Sequence, residues 1–537
     1  MYKFSKAQYI KGETVTVYGA GLDSKPEIHI YKLEEEVKAD FSVSNGTGET
    51  VIAICGLATG NYGVKICDGD NRWEGSFDIV SSARAITRYG FLADFSNGDD
   101  DTDDVEWMKD MHINAVQFYD WMFRHDCLLP DSDEYEDPLG RKLCLSVIRK
   151  KTIACKKYGM RPFAYGAIYA ATKEFFEKHR DWGMYTLEHE PMTFANWLNF
   201  MNVSHDCGWT EHLLKEYCAA VDFGFEGIHM DTYGFPKKVR NYQGKAVDLA
   251  NEFTGLIDSA SAAVRGVDPE AGVIFNAVND WPVEKIAKSL QDSVYIEVWP
   301  PHDTYYDLFE LITKARSLSG KNVVLAAYLK PFDNASACEA IWTWQLTWAA
   351  ICAGRGTQLV LGENRSLLKD SYYVNYAKLD DKSCNKVASY CDFLVRYADL
   401  LYADCGIDIS KTASGGINED ICFFSEKCSF STNAEGNSVW TIIRESEKMI
   451  TVNMINLTGN DNQWNVLKNE PDDISDIVMS FRLDRKITGI YTASPDDESL
   501  QAESLRYSSL STPDGRVYRS EPVDLKCWRT VWIKMED

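Results

Sequence analysis

The stretch GFEGIHMDTYG, residues 224–234, decides the predicted fold of this 537-residue chain. Small and apolar residues lead to a carboxylate, a hydroxyl and an aromatic ring, and a glycine follows. The pattern predicts a buried strand with His229, Asp231 and Tyr233 on one face, because side chains two apart in a strand share a face. A buried acid is costly to desolvate. Asp231 therefore either caps the following turn or takes part in chemistry.

Seven other strand-like segments share this texture and alternate with amphipathic stretches such as 211–223 and 306–318. In chain order the eight segments are 89–95, 115–121, 162–169, 224–234, 273–279, 294–299, 323–329 and 357–363. Eight strands with intervening helices over roughly 275 residues match the (β/α)8 TIM barrel, which is typically about 250 residues long. A doubly wound open sheet is the alternative, but no glycine-rich dinucleotide turn follows the first strand.

The sequence on both sides of the predicted barrel has patterns typical of β-strands. Residues 1–86 contain short alternating runs between Gly, Asn and Asp turns, which predicts a small β-sandwich. A long helix is expected over 382–402, and 439–444 with 449–454 form a hairpin pattern. The prediction is thus a multidomain protein with an N-terminal β-sandwich (1–86), a catalytic (β/α)8 barrel (87–405) and a C-terminal β-sandwich (406–537).

Composition limits the function classes. The net charge is −25, from 81 acids against 56 bases, which disfavours nucleic-acid and membrane-surface partners. The 15 cysteines show no metal or disulfide spacing and indicate reduced thiols. No signal peptide is recognisable, so a cytoplasmic protein is expected, although a chain whose leader had been removed would look the same. The sequence does not indicate an oligomeric state.

No cofactor or metal is predicted. The acidic run at 99–104 resembles a metal site, but it is better explained as the negatively charged first turn of a helix. No phosphate-binding loop, zinc helix or nucleophile-elbow motif is present in the sequence.

Active sites of barrel enzymes lie at the C-terminal ends of the strands. The polar residues at the predicted ends are Asp94, Asp120, Tyr169, Asp231, Asn279, Glu297, Lys330 and Glu363. Asp231 on the fourth strand and Glu297 on the sixth both have the parity of inward-facing side chains. We expect these two carboxyls to face each other across the barrel mouth, as glycoside hydrolysis requires.

The surroundings suggest a role for each carboxyl. Glu297 lies in the apolar run IEVWPP, which should raise its pKa and keep it protonated as the general acid/base. Thr232, Tyr233 and the glycine turn can hold an ionised Asp231, the expected nucleophile. A structural alternative for Glu297 is a salt bridge to a neighbouring helix.

Three other candidates each have a structural alternative. Asp120 either binds sugar hydroxyls or pairs with Arg124, and Glu363 is better explained as a structural acid. His229 lies one layer below Asp231 and is expected to be a packed, hydrogen-bonded histidine rather than a base.

Several motifs resemble glycoside hydrolase family 66, the dextranases and cycloisomaltooligosaccharide glucanotransferases. The run FGFEGIHMDTYG at 223–234 resembles the family's nucleophile strand, and QFYDWMFRH at 117–125 resembles its second-strand motif. YIEVW at 295–299 falls where the acid/base glutamate is expected, and LGEN at 361–364 resembles the last barrel strand. KAQYIKGETV at 6–15 is similar to the start of the family's immunoglobulin-like domain.

The resemblance implies retaining endo-hydrolysis of α-1,6-glucosidic bonds in dextran or isomaltooligosaccharides, with Asp231 as nucleophile and Glu297 as acid/base. The candidate substrate-binding residues are Gln117, Tyr119, Asp120, Trp121, His125, Tyr169, Tyr233, Asn279, Trp299, Lys330 and Glu363. Two alternatives are a transglucosylase that forms cyclic products and a non-catalytic α-glucan-binding protein. No inserted carbohydrate-binding module is evident, which favours hydrolysis. Glu226 and His229 depart from the family pattern beside the nucleophile.

Overall fold

The computed structural model describes residues 2–20, 26–46, 49–403, 406–513 and 515–536. The protein is multidomain and rich in strands, with helices concentrated in the middle of the chain. Its buried apolar residues form three clusters, one large and central and one near each end of the sequence. The fourteen cysteines of the described residues are free thiols. Over the same residues, no helix has the length and apolar character to cross a membrane.

The N-terminal unit consists of two sheets around one apolar cluster. The first sheet contains Lys3–Phe4, Val15–Ala20, Glu49–Cys55 and Asp40–Asn45, and the second contains Tyr9–Ile10, Asn71–Val80, Gly60–Asp68, Glu27–Lys32 and Glu35–Val37, both in spatial order. Val15 and Ile52 from one sheet share this cluster with Val64 and Phe77 from the other. This two-layer packing fits the expected sandwich.

The central sheet contains the predicted strand segments. Its parallel strands are Tyr89–Leu92, Ala115–Phe118, Arg161–Ala167, Gly227–Asp231, Gly272–Val278, Val294–Glu297, Val323–Ala326 and Gly356–Gln358. Each pairs in parallel with the next along the chain, unlike the mixed order of a doubly wound sheet. Leu361–Gly362 then pairs in parallel with the first strand, through Phe91 and Gly362. Ser366–Leu368 and Tyr376–Lys378 extend the sheet antiparallel.

The strands end earlier than the sequence suggested. Asp231 and Glu297 are the last residues of their strands, as expected. Asp120 and Tyr169, by contrast, lie two residues beyond theirs, in the following loops. Lys330 begins a short 3-10 helix, Lys330–Asp333. Because these residues lie in loops, the alternation of a strand does not determine the direction of their side chains.

The helices up to Ala337–Ala353 connect the strands of the sheet, the next two follow its last strand, and the short final helix packs in the C-terminal unit. In chain order the helices are Asp103–Asp110, Leu145–Lys157, Lys173–Lys178, Gly208–Phe223, Leu249–Val267, Val283–Ile286, Tyr305–Ser319, Ala337–Ala353, Asp381–Arg396, Ala398–Leu401 and Ser410–Ala413. Further 3-10 turns are Asn97–Asp99, Arg180–Trp182 and Glu363–Arg365. The single helix expected over 382–402 is wrong: it breaks at Tyr397, whose hydroxyl donates to the Leu500 carbonyl at 2.6 Å.

Small antiparallel sheets decorate the loops after the strands. Ala170–Thr172, Leu198–Phe200 and Thr193–Phe194 form one, Glu134–Glu136 and Lys142–Cys144 a second, and Val239–Arg240 with Ala246–Val247 a third. The first two lie in the loops that supply part of the cavity wall described below.

The C-terminal unit again contains two main sheets. One contains Ile407–Asp408, Val439–Glu445, Met449–Asn456, Trp528–Met535, Ile487–Ala493 and Glu503–Leu505, with Phe430–Ser431 beside the second strand. The other contains Ile421–Phe424, Ile474–Leu483, Gly515–Ser520 and Tyr507–Thr512, with Val523–Leu525 alongside, and Ser414–Gly415 pairs with Asn418–Glu419. The predicted hairpin is confirmed by the antiparallel register that runs from Val439–Asn456 to Glu445–Ile450. Trp440, Trp528 and Trp532 join the central apolar cluster and so fix this unit against helices of the central unit, where Trp440 contacts Phe309 and Trp528 contacts Phe393.

Candidate active site

A cavity of about 900 Å³ opens at the C-terminal ends of the parallel strands. Asp231 and Glu297 both line it, and each is only partly accessible. Their neighbours Met230 and Ile296 are fully buried on the opposite face of the strands, so the alternation of each strand turns its terminal carboxyl toward the cavity. The predicted pairing of these two acids in one site is therefore what the fold produces.

A single amide group connects the two carboxyls. Asn276 Nδ2 donates to Asp231 Oδ1 at 2.7 Å and to Glu297 Oε2 at 3.2 Å. Asn276 lies on the strand between those of Asp231 and Glu297, which explains how it reaches both. Because both oxygens contact one nitrogen, they are at most about 5.9 Å apart, the sum of the two distances.

Tyrosine hydroxyls hold the remaining carboxylate oxygens. Tyr165 donates to Asp231 Oδ2 at 2.7 Å, and Tyr328 donates to Glu297 Oε1 at 3.0 Å. Of the hydroxyls and amides expected to hold Asp231, the Thr232 hydroxyl does not reach the carboxylate and donates to the Tyr233 carbonyl instead. The Thr232 backbone amide does donate to Asp231. The side-chain donors to Asp231 therefore come from neighbouring strands, and the turn after it adds a backbone donor.

Tyr373 links Tyr328 to Tyr295 through its hydroxyl. Its hydroxyl lies 3.4 Å from that of Tyr328 and 3.2 Å from that of Tyr295, and its ring stacks on Tyr119 at a centroid distance of 4.3 Å. The hydroxyl network connects to Glu297 through Tyr328. Packing of this kind restricts the rotamers of the groups around the acid.

The two carboxyls differ in proton affinity. Burial, and secondly the nearby charge of Asp231, raises the pKa of Glu297 to about 7. Burial also raises the pKa of Asp231, but the hydrogen bonds from Tyr165 and Asn276 oppose that rise by stabilising the ionised form. Glu297 is thus the group that keeps a proton near neutral pH.

His229 lies beneath the pair as a packed, neutral ring. Its Nδ1 is 3.1 Å from the Tyr89 hydroxyl, and its ring meets that of Tyr295 edge-on at 4.8 Å. Burial lowers the pKa of His229 to about 3. It touches the floor of the cavity, whereas Glu226, at the opposite end of the same strand, is 3.6 Å from Lys156 and does not line the cavity.

Most of the predicted binding residues line the cavity. These are Gln117, Tyr119, Asp120, His125, Tyr169, Tyr233, Asn279 and Trp299. Asn279 also has a structural task, because its amide donates to the Pro300 carbonyl and its oxygen accepts from the Trp299 amide. It thereby fixes the loop that follows Glu297.

Three predicted binding residues lie outside the cavity. Trp121 is fully buried and its indole donates to the Tyr165 carbonyl at 3.1 Å, so it supports the wall from behind. Lys330 lies in an adjoining groove. Glu363 is buried and accepts from the Ala93 and Asp94 amides at 2.7 and 2.9 Å, which is the structural role left open for it.

Asp120 contacts Arg141 and not Arg124. Its backbone carbonyl accepts from Arg141 at 2.8 Å, whereas Arg124 donates to the carbonyls of Phe123 and Glu136. Of the two alternatives for Asp120, the pairing with Arg124 is therefore wrong. Burial raises the pKa of Asp120 to about 7 although Arg141 lowers it, and its φ of 46° turns the chain away from the strand direction.

The acidic run contributes to an internal ion cluster. Asp99, Asp104 and Glu363 have oxygens within 4.8 Å of one another, a set able to hold a metal ion. The buried Lys151 ammonium contacts Asp99 and lies 4.0 Å from Asp104. Lysine thus already supplies positive charge to this cluster, and Asp104 lies in the first turn of Asp103–Asp110 as predicted.

Sequence reasoning missed several residues of the cavity. Asn276, Tyr165 and Tyr328 contact the carboxyls, while Phe194, Trp197, Phe235 and Tyr372 supply aromatic rings to the wall and rim. Asn276 had a visible signal, since it is a lone polar residue inside the apolar strand Gly272–Val278. The search of strand ends passed over it because it lies two residues before the end.

The family and its relatives can now be compared with this geometry. A family model described as Glycosyl hydrolase family 66 matches residues 4–532. A cycloisomaltooligosaccharide glucanotransferase of Niallia circulans is 22% identical over 697 positions, covering 98% of this chain and 71% of the relative. A dextranase of Streptococcus salivarius is 22% identical over 505 positions, covering 80% of this chain and 60% of the relative.

A solved structure shares the fold across the whole chain. It is a cycloisomaltooligosaccharide glucanotransferase of Paenibacillus sp. complexed with cycloisomaltoheptaose, with a TM-score of 0.88, 21% identity and 99% of each chain covered. The family resemblance of the sequence motifs is thereby confirmed, and it supports a glycosidase-type enzyme. Because the family match extends over nearly the entire sequence, the chain belongs to glycosyl hydrolase family 66.

Proposed function

We propose that this protein hydrolyses α-1,6-glucosidic bonds within dextran or isomaltooligosaccharides, with retention of anomeric configuration. Asp231 is the nucleophile and Glu297 the general acid/base. The observation that carries the proposal is the Asn276 amide, which holds both carboxyls in one cavity at hydrogen-bond distance.

The separation of the carboxyls supports double displacement. Retaining glycosidases have carboxyls about 5–5.5 Å apart, whereas inverting ones keep roughly 6.5–9.5 Å to admit a water molecule. The two oxygens of Asp231 and Glu297 that share the Asn276 amide are at most about 5.9 Å apart, which agrees with the shorter, retaining separation.

The proton affinities support the assignment of roles. Glu297, with its pKa near 7, can donate its proton to the leaving oxygen while ionised Asp231 attacks the anomeric carbon and forms a glycosyl ester. Glu297, now ionised, then accepts a proton from the water that attacks this ester. The leaving sugar departs with the first proton, and Asp231 is released as a carboxylate.

The cavity wall suits a neutral, hydroxyl-rich ligand. Gln117 Oε1, His125 Nδ1, Tyr233 Oη and Asn276 Oδ1 are buried and have no hydrogen-bond partner among the described residues. Sugar hydroxyls can satisfy such atoms, and leaving them unpaired would be costly. Phe194, Trp197, Phe235 and Tyr372 offer ring faces for sugar C–H surfaces. The α-1,6 linkage itself is proposed from the names of the relatives.

We also propose that the parallel sheet closes into the expected (β/α)8 barrel, with unit boundaries at residues 86 and 405. Closure is supported by the pairing of Gly362 with Phe91, which brings the last segment back to the first strand. The immunoglobulin-like assignment of residues 1–86 remains a proposal of the same kind.

A second candidate is transglucosylation to cyclic isomaltooligosaccharides. It is favoured by the glucanotransferase names of the relatives that align with 98% of this chain. Mass spectrometry of dextran digests separates the two activities, because a cyclic product lacks one water relative to a linear product of equal length. Linear products support hydrolysis, and predominantly cyclic products would replace it with transfer.

The same assay tests the carboxyl roles. Asp231→Asn and Glu297→Gln should each lower turnover by orders of magnitude, because each removes a group that acts in the transition state. Glu310→Gln, an isosteric change at an exposed position of helix Tyr305–Ser319, is the matched control and should retain turnover. A non-catalytic glucan-binding protein would bind dextran with no cleavage in the parent protein or in any variant.

A further inference from the structure

A second, smaller groove of about 260 Å³ adjoins the main cavity. We call it the side groove and define it by Trp299, Tyr328, Lys330, Gln463, Trp464 and Asn465. Trp299, Pro300 and Tyr328 line both spaces, so the groove shares a wall with the main cavity. Its volume is below the roughly 300 Å³ at which complete ligand sites begin, which fits one part of a longer ligand.

The groove adjoins the acid and not the nucleophile. Tyr328 donates to Glu297 Oε1, and Trp299 follows Glu297 by two residues. Asp231 and its donor Tyr165 line only the main cavity. In glycoside cleavage the general acid protonates the leaving oxygen, so the leaving sugar lies beside the acid.

The far wall of the groove comes from the C-terminal unit. Within segment 461–466, the Trp464 amide and indole donate to the carbonyls of Asp303 and His302 at 3.0 and 2.7 Å. The Asn465 side-chain oxygen accepts from the Lys330 amide at 2.9 Å. These bonds hold the segment firmly against the loops that follow the strands.

The side-chain amides of the groove that make no hydrogen bond within the described parts of the chain are of the kind that bind sugar hydroxyls. Gln463 is exposed, and among the described residues its side-chain amide makes no hydrogen bond, nor does Asn465 Nδ2. The charged lining residues Asp303, Lys330, Lys369 and Asp370 balance, two of each sign. A balanced wall with free amides and a tryptophan ring suits a neutral polyhydroxylated ligand.

We propose that the side groove is a saccharide subsite for the leaving-group end of the substrate, completed by segment 461–466 of the C-terminal unit. The inference rests on the proposed glycosidase function. It gives the C-terminal unit a direct part in substrate choice, because chains with more glucose units on the leaving side make contacts there that shorter chains do not.

The test compares two substrates that share the non-leaving side. One is an isomaltooligosaccharide with several glucose units on the leaving side, and the other is a nitrophenyl isomaltoside, whose leaving group carries no sugar. Gln463→Ala should lower the ratio of their kcat/KM values about three- to tenfold, as expected for one or two neutral hydrogen bonds. Gln463→Trp, which fills the groove, should also shift cleavage of end-labelled chains toward the reducing end.

Leu467→Ala is the matched control, because Leu467 is 55% exposed on the same segment and does not line the groove. It should retain the parent ratio. An unchanged ratio and cleavage pattern in both Gln463 variants would overturn the subsite, as would an equal loss on both substrates.

Binding separates failure of the subsite from failure of the proposed function. Titration of Asp231→Asn protein with isomaltooligosaccharides should show weaker binding of longer chains when Gln463→Trp is added. If the parent protein cleaves neither substrate, the proposed function fails. If cleavage occurs but chain length affects binding equally with and without Gln463→Trp, only the subsite fails.

Discussion

The Asn276 amide is the contact that places two acids of unequal proton affinity in one site. Asp231 receives hydrogen bonds from a tyrosine and an amide, which favour its ionised form. Glu297 is buried beside that charge, which favours its protonated form. The difference in proton affinity therefore follows from position, since Asp231 and Glu297 end the two strands that flank the strand of Asn276.

The pH dependence of turnover should report this arrangement. As pH rises through about 7, Glu297 loses the proton that the leaving oxygen needs, so kcat/KM should fall about tenfold per pH unit above that value. Because the two carboxyls interact, the apparent values belong to the pair. Initial rates between pH 5 and 9 measure this fall of kcat/KM at basic pH. The residual activity of Glu297→Gln should not show it. A fall at basic pH that persists in this variant would assign the acid elsewhere.

At the scale of single residues, the sequence predicted the acids better than their partners. Asp231 and Glu297 could be found because strand parity and strand ends are visible in the sequence. Tyr165 and Asn276 lie inside their strands, and their reach to the carboxyls depends on the register between strands. The register depends on how two strands pair in the folded protein, and the sequence of one strand alone does not determine it.

At the scale of elements, the last parallel strand, Leu361–Gly362, pairs with the first through Gly362. A Cβ atom on this residue would collide with the ring and the carbonyl oxygen of Phe91, to which Gly362 is paired. Its φ of −168° is ordinary extended backbone, so the constraint is space rather than conformation.

Gly362→Ala should therefore destabilise the central unit by about 1–3 kcal/mol, because overpacking displaces the first strand. Gly255→Ala is the matched comparison: it lies within helix Leu249–Val267 with open space around it, and should stabilise by about 0.5–1 kcal/mol. Calorimetric unfolding midpoints should move in opposite directions. A neutral Gly362→Ala would contradict the tight packing of Gly362 against Phe91.

The sequence predicted the order of the strands correctly but not their lengths. All eight expected segments contain a parallel strand, but the strands stop early, and Trp121 and Lys330 turn away from the cavity in the loops beyond. The positive φ of Asp120 directs Trp121 into the packing against Phe225. Such loop conformations depend on tertiary contacts rather than on the hydrophobic pattern that revealed the strands.

At the scale of the whole molecule, buried carboxyls tie stability to pH. Asp120, Glu297 and Glu363 each have a pKa of about 7, well above ordinary carboxyl values. The folded protein therefore binds more protons than the unfolded chain up to about pH 7, and stability falls as pH rises through that value. His125 and His229, with lowered pKa values, act oppositely, but only below about pH 6.5.

The unfolding midpoint should accordingly be lower at pH 8 than at pH 6.5. Glu363→Gln, which keeps an oxygen for the Ala93 and Asp94 amides, should reduce this difference. Calorimetry in buffers of matched ionic strength makes the comparison. A midpoint that rises from pH 6.5 to 8 would contradict the raised carboxyl pKa values.

The change along the chain from alternating β-strand patterns to strand–helix alternation and back was also visible in the sequence. The packing of the C-terminal unit on the central one was not. It depends on Trp440, Trp528 and Trp532, whose partners in the central unit are determined by the tertiary fold.

The most direct test of the central claim is the configuration of the first product. Proton NMR during hydrolysis of an isomaltooligosaccharide resolves the newly formed reducing end before mutarotation. Double displacement through Asp231 and Glu297 predicts that the α anomer forms first and the β anomer appears only later. Initial formation of the β anomer would contradict the retaining mechanism and the nucleophilic role of Asp231.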